Sequence, residues 1–320
     1  MQKLRHRQEV NKLLYIIMLG IFASINIFAQ NEPLTPQQLD SITLMADEDE
    51  LYANEHINWH RLFDVFINSQ NKLINHTMVN LNVGISSPSL PDKLNMEPLP
   101  TSNYFNFEYG FVRLDSAYRY NRLRSYSGEF AFIEQNTNDY GVFSSKNKVY
   151  ANHFLWGAGL RSGYGTRLFD DSEMELYWLH SSAFVWTYSD YDQYSEHPFF
   201  EAFDQEYKFG NRGAATIEYR VNNCFLIDLT YEHTNYYSGM EYGKWIGTWF
   251  IDFALQRWID LLDPLFIKDL GYTYPFVKFF YKNAISIILS EARLIKQYFP
   301  FKSDYSLLDR RLGVGIRFIF

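Results

Sequence analysis

The chain has 320 residues, of which 47% are apolar and 19% aromatic, with 25 Tyr, 28 Phe and a formal charge of −8. A mean hydropathy of −0.28 excludes a bundle of transmembrane helices. The acidity argues against nucleic acid, whose phosphates demand Lys and Arg, and a lone cysteine, Cys224, excludes an internal disulfide framework or a Cys-rich zinc site.

The first 29 residues read as a signal peptide. A basic stretch with Lys3, Arg5, Arg7 and Lys12 precedes an apolar run from Leu13 to Phe28, and Ala29 stands at the expected cleavage point. With Glu9 the leader carries three net positive charges, so its removal takes the formal charge from −8 to −11. Residues 30–72 read as a helical extension. Thr35-Pro36 has the form of an N-cap followed by proline, Leu39, Ile42 and Met45 recur at helical spacing, and Trp59, Leu62, Phe63, Phe66 and Ile67 do so again. Packing on the rim of the following domain is the expectation for it.

From residue 77 the period changes to two, the signature of strands with one apolar face. Val79, Leu81, Val83 and Ile85 alternate with polar residues, as do Phe105, Phe107, Tyr109 and Phe111. Phe130 and Phe132 alternate with Glu129 and Ala131, and Phe154, Trp156, Ala158 and Leu160 oppose His153, Gly157, Gly159 and Arg161. Further sets are Met174, Leu176, Trp178; Ile217, Tyr219, Val221; Phe225, Ile227, Leu229, Tyr231; and Leu312, Val314, Ile316, Phe318, Phe320. About eight such segments predict an antiparallel transmembrane β-barrel over residues 73–320, or ten to twelve strands if part of 245–299 is also extended. The opposite faces gather Glu108, Glu129, Glu175, Glu218, Asp228, Glu232, Arg161, Arg220, Arg311 and Arg317. These are assigned to the lumen, because a charge facing lipid near the midplane costs up to several kcal/mol. An eight-stranded barrel is nearly filled by its own side chains, which argues against a wide pore.

The last eight residues, Gly313-Val-Gly-Ile-Arg-Phe-Ile-Phe320, resemble the terminal strand signal of Gram-negative outer-membrane barrels, with aromatics at the third-last and last positions. That resemblance implies an outer-membrane location, recognition by the barrel-assembly machinery and contact with outer-membrane lipids. If the last strand ends in the periplasm, the long connections fall outside the cell. The longest, 245–299, does not alternate. Asp252, Gln256, Asp260 and Asp263 share one helical stripe, Pro264 ends the segment, and Asn283 is placed to cap a second helix carrying Ile285, Ile288, Leu289, Ala292 and Ile295. These helices are expected against the outer rim, over the lumen mouth, or on a partner.

For chemistry, His180 and Ser182 share the lipid-facing side of one strand, and Asn152 falls on the same side of the preceding strand, level with them if the turn pairs as drawn. Polar groups facing lipid demand a reason. The pair resembles the His-x-Ser of outer-membrane phospholipase A and lipid A deacylase. That resemblance implies Ser182 as nucleophile, His180 as general base and Asn152 as the residue orienting the imidazole. Here Ala183-Phe184 follows the serine, where those families continue with Asn. His233-Thr234-Asn235 offers no nucleophile at the corresponding place, and the acidic loop Asp190, Asp192, Glu196, Glu201, Asp204 and Glu206 lacks a regular calcium spacing. No cofactor, zinc spacing or phosphate-binding loop is expected. Three functions follow: a surface or envelope-assembly protein with a possible envelope partner, a small-solute channel, or a lipid hydrolase.

Overall fold

The computed structural model describes residues 76–94, 99, 101–116, 123–137, 152–168, 174–190, 198–261, 270 and 273–320. The expected signal peptide 1–29 and the expected helical extension 30–72 lie outside these residues. Eight strands close into an antiparallel barrel in simple sequence order. They are β1 (His76–Ser89), β2 (Ser102–Ser116), β3 (Leu123–Thr137), β4 (Asn152–Arg167), β5 (Glu175–Asp190), β6 (Tyr207–Arg220), β7 (Phe225–Tyr237) and β8 (Ser306–Ile319). The architecture is that of outer-membrane β-barrels, and the strand count is eight rather than ten or twelve.

Closure falls on the C-terminal strand. β8 pairs with β7 on one side and β1 on the other. The backbone of Phe320 exchanges hydrogen bonds with Thr77 at 2.9 and 3.1 Å, so the chain is sealed to its last residue. A barrel leaves no strand edge to pair with anything else. One end carries the links 117–122, 168–174 and 221–224; the other carries 90–101, 138–151, 191–206 and 238–305. These are called below the short-turn end and the long-loop end.

The alternation sorts inside from outside as expected on seven strands. Leu81, Val83, Phe105, Tyr109, Phe111, Leu160, Leu229, Leu312 and Val314 are exposed on the outer wall, whereas Glu108, Arg161, Glu218, Asp228, Glu232, Arg311 and Arg317 are buried in the bore. Strand β3 is the exception. Phe130 and Phe132 are buried inside, and Glu129 faces outward. The cause is volume. Phe132 occupies space left by Gly157 of β4, where a Cβ would lie 2.7 Å from the Phe132 ring. The guanidiniums of Arg212 and Arg161 sit over Phe132 and Phe130, 4.2 and 4.7 Å from the ring centres. Gly157 makes room for Phe132 in the bore, and the two arginines give both rings partners there.

Three ionic layers fill the bore. Towards the short-turn end, Glu175 meets Arg220 at 3.2 Å, Arg124 at 3.4 Å and Arg167 at 3.8 Å. In the middle, Arg161 pairs with Glu108 at 3.1 Å, and Arg317 joins Glu218, Asp228 and Glu108. Above them, Arg212 pairs with Glu134 at 2.7 Å, while Arg311 bridges Glu134 and Asp309. Phe200 and Phe203, in and just after the short helix α1 (Pro198–Glu201), are fully buried with Leu155, Val185 and Tyr236 at the long-loop end. Cross-links between opposite walls and an aromatic cap leave the bore occupied by the protein itself.

The connection between β7 and β8 folds into two helices, α2 (Tyr242–Leu261) and α3 (Tyr274–Ile295). They do not stand over the rim or the mouth. Tyr274 packs edge-on against Tyr164 near the short-turn end of β4, and Phe276 and Phe279 pack on Trp178 of β5. Near the other end of α3, the carbonyl of Arg293 accepts from Ser306 at the start of β8. The hairpin therefore lies along the outer wall, with α3 slanting across β4 to β8. Asn283 is not a cap: α3 begins at Tyr274 with Pro275 in its first turn, and Asn283 sits mid-helix, donating to Phe279 O at 2.8 Å.

Candidate functional site

Where α3 meets the wall, the wall is polar. His180 on β5 and His233, Asn235 and Tyr237 on β7 point outward by strand phase yet are buried. The helix covers them with one stripe of its own polar residues. His180 Nδ1 lies 2.9 Å from Asn283 Oδ1, His233 Nε2 lies 3.0 Å from Ser286 Oγ, and Ser290 Oγ donates to Asn235 Oδ1 at 2.7 Å. Asn235 Nδ2 in turn donates to Ser290 O and Ser306 Oγ, both at 3.1 Å. Asn283, Ser286, Ser290 and Arg293 follow the three-and-four spacing of one helix face. A glycine sets the close approach: a Cβ on Gly213 would lie 2.4 Å from Ser286 Oγ and 2.5 Å from His233 Nε2.

A second polar stripe joins α3 to α2. Asp260 accepts from Lys278 at 2.8 Å and Lys282 at 2.7 Å, and Asp252 pairs with Arg293 at 3.0 Å. Gln256 donates to the backbone of Lys282 at 3.2 Å. The expected stripe Asp252, Gln256, Asp260 thus forms, and it faces α3 rather than solvent; Asp263 lies outside the described residues. On the wall side, Arg310 of β8 holds Glu291 of α3 at 2.5 Å. Burying an unpaired charge costs several kcal/mol, so these partners are what allow the seam to exist.

The residues singled out for catalysis are only partly brought together. Ser182 is exposed on the outer wall and His180 is buried two residues before it. Residues so spaced lie roughly 7 Å apart along a strand, and no hydrogen bond joins their side chains among the described residues. Asn152 does not take the expected place. It pairs with Asp190 at the long-loop end, whereas Ser182 pairs with Leu160 and His180 with Ser162. Strand register separates Asn152 from the histidine by most of the wall. The orienting position is filled instead by Asn283. Its amide nitrogen donates to Phe279 O, so its oxygen faces His180 and takes the proton of Nδ1. That assignment leaves Nε2 as the basic nitrogen.

His233 lies in the cross-strand row of Ser182 and Gly213. Its Nδ1 has no partner, so its contact with Ser286 is a dyad without a third member. Among the described residues no three or more His, Cys, Asp or Glu side chains converge as metal ligands. In the acidic loop Glu206 is engaged by Lys208 at 2.5 Å, whose hydrogen bond and charge hold the carboxyl below its usual range.

No protein-family model and no curated protein matches this chain. Among solved structures, Neisserial surface protein A is similar at 10% identity and a TM-score of 0.34, covering 76% of this chain and 97% of its own. Ail, the attachment invasion locus protein of Yersinia pestis, is similar at 12% identity and a TM-score of 0.29, covering 76% of this chain and 99% of its own. Likenesses of this size carry nothing about activity or partner.

Proposed function

We propose that the protein is a non-transporting outer-membrane barrel that acts as a surface or envelope-assembly interaction protein, with the barrel as anchor and the long-loop end as working surface. The observation that carries this reading is the occupied bore: three ionic layers and the Phe200–Phe203 cap stand across it. A channel would need that network opened, at a cost of several kcal/mol for each buried charge left unpaired. Export by the leader, and recognition of the Phe318-Ile319-Phe320 strand by the barrel-assembly machinery, belong to the same proposal. Photo-crosslinkers at exposed long-loop positions, Lys93 and Lys302, test it in cells. A discrete adduct with an envelope protein from these sites, absent from Asn223 in the short turn, is the expected result; equal or no adducts from all three contradict it.

A second reading, lipid hydrolysis on the outer wall, is favoured by the His180–Asn283 hydrogen bond beside an exposed serine. His180 would act as base and Ser182 as nucleophile on an ester presented from the bilayer. Phospholipid and lipid A release by the purified protein, abolished in Ser182→Ala, supports it. Turnover that Ser182→Ala leaves unchanged eliminates it.

A further inference from the structure

We propose that the α2–α3 hairpin crosses the outer membrane alongside the barrel, with lipid acyl chains covering its outward face. A helix rises 1.5 Å per residue, so 20 and 22 residues give about 30 and 33 Å. That matches the apolar thickness the strands themselves must traverse. α3 runs along the wall between its two ends, as the contacts of Tyr274 with Tyr164 and of Arg293 with Ser306 show. α2 runs beside it, with Trp245 against Phe184 and Phe209 of the wall near its start and Asp260 against Lys278 and Lys282 of α3 near its end.

The polarity of the hairpin is inverted relative to a helix in water. On α2 the exposed positions within the helix are Tyr242, Gly243, Ile246, Trp249, Phe250, Ala254, Leu255, Trp258 and Leu261, without a charged or hydrogen-bonding aliphatic side chain among them. On α3 the buried positions include Lys278, Lys282, Asn283, Ser286, Ser290 and Arg293, while Phe276 and Phe280 are outside. A helix packed on a protein in water does the opposite. Phe250 and Phe280, at 62% and 58% exposure, extend the belt in which Val83 of β1 is 55% exposed. The hairpin's outward face thus has the same apolar character as the exposed belt of the barrel.

None of the described helices is long and apolar enough to cross a membrane by itself. The reason is their charges, and each charge within α2 and α3 has a partner: Lys244 with Glu241, Asp252 with Arg293, Arg257, Lys278 and Lys282 with Asp260, and Glu291 with Arg310. Charged groups inside a bilayer are tolerated when they face protein and pair. Asp252, Asp260, Lys278, Lys282 and Arg293 satisfy this between the helices, and the backbone is internally bonded as lipid requires. Lys244 and Arg257, with side chains 38% and 37% exposed, lie close to the two ends of α2, where long cationic side chains reach the interface. A consequence is that Thr273, at the start of α3, lies at the short-turn end, opposite to the long-loop end.

The test uses the full-length protein in liposomes. Nitroxide labels at Phe250→Cys and Phe280→Cys, made in a Cys224→Ser background, are compared with Val83→Cys on the barrel wall and with the native exposed Cys224 in its turn. Oxygen-over-nickel accessibility at 250 and 280 equal to that at 83, and far above that at Cys224, is the expected result. Nickel accessibility like that of Cys224 overturns the proposal, as does spin–spin broadening, which would put a second copy on this face. Water-like behaviour at Val83 itself would instead remove the barrel from the bilayer, and the proposed function with it. Impermeant maleimide should reach Thr273→Cys and Lys302→Cys from opposite sides of the membrane; labelling from one side contradicts crossing. Should a cysteine variant fail to fold, Trp258→Phe should lower the fluorescence quenched by brominated acyl chains, and an unchanged quenched fraction counts against the proposal.

Discussion

The bore and the outer seam both bury arginines among carboxylates, yet they are built on different periods. In the bore, Arg212, Arg311 and Arg317 come from strands and reach across a closed ring to partners on other strands. In the seam, Asp252, Asp260, Lys278, Lys282 and Arg293 come from two helices, and their stripes meet because α2 packs on α3. The ring fixes its partners through continuous backbone hydrogen bonding on every strand. Among the described residues the seam has no ladder of backbone bonds to the wall; its register rests on side chains and on the gap at Gly213. The same electrostatic solution should therefore fail differently in the two places: globally in the bore, locally in the seam.

The largest effect is expected from Arg311→Ala. It leaves Glu134 and Asp309 without their bridge in the interior, and breaking a buried pair from one side costs about 3–5 kcal/mol. Urea unfolding followed by the heat-dependent gel shift of the whole barrel should move by that amount. A change below about 1 kcal/mol would mean that the bore is hydrated enough to screen the loss.

Gly213→Val comes next. Its side chain meets Ser286 and His233, and overpacking of this kind costs about 1–3 kcal/mol. The hairpin should bear that cost alone. Trypsin should begin to cut at Lys278, Lys282 or Arg293 in detergent while the barrel keeps its gel mobility. Simultaneous loss of both would show that seam and ring are one cooperative unit. A smaller coupling, about 0.5–3 kcal/mol, is expected from the Asp252→Ala and Arg293→Ala double-mutant cycle read by the same proteolysis; additive single effects would remove that pair from the account.

The smallest effect belongs to Glu129, the carboxylate that faces outward from β3. Lipid-facing acids cost less than the 2–4 kcal/mol of midplane Arg or Lys. Glu129→Leu should therefore stabilise the barrel in liposomes by about 1 kcal/mol and leave detergent stability unchanged. A loss of stability in liposomes would show that Glu129 has a protein partner.

How much of this was legible depended on whether a residue's neighbours were local. Alternation alone assigned the faces of β1, β2 and β4 to β8, since phase is a property of one strand. It misplaced β3, because nothing in Glu129-Phe130-Ala131-Phe132 reveals Gly157 or the cations of Arg161 and Arg212 on other strands. Glu134 and Arg212 were passed over for the same reason. The stripe Asp252, Gln256, Asp260 was visible, but a polar stripe reads as a solvated face unless the surroundings are known to be apolar. His180 and Ser182 were correctly set on the outer wall, whereas the amide that holds His180 comes from Asn283, 103 residues away. Asn152 was the nearest candidate in sequence, and strand register ruled it out.

The central claim, that the barrel is filled and works by its surfaces, meets its most direct test in planar-bilayer recording of the purified full-length protein. The account predicts no stepwise conductance above the bare membrane for the wild type. Reproducible unitary steps whose size rises with salt concentration would contradict it, because they require a continuous aqueous path through the layers of Glu175, Arg317 and Arg311.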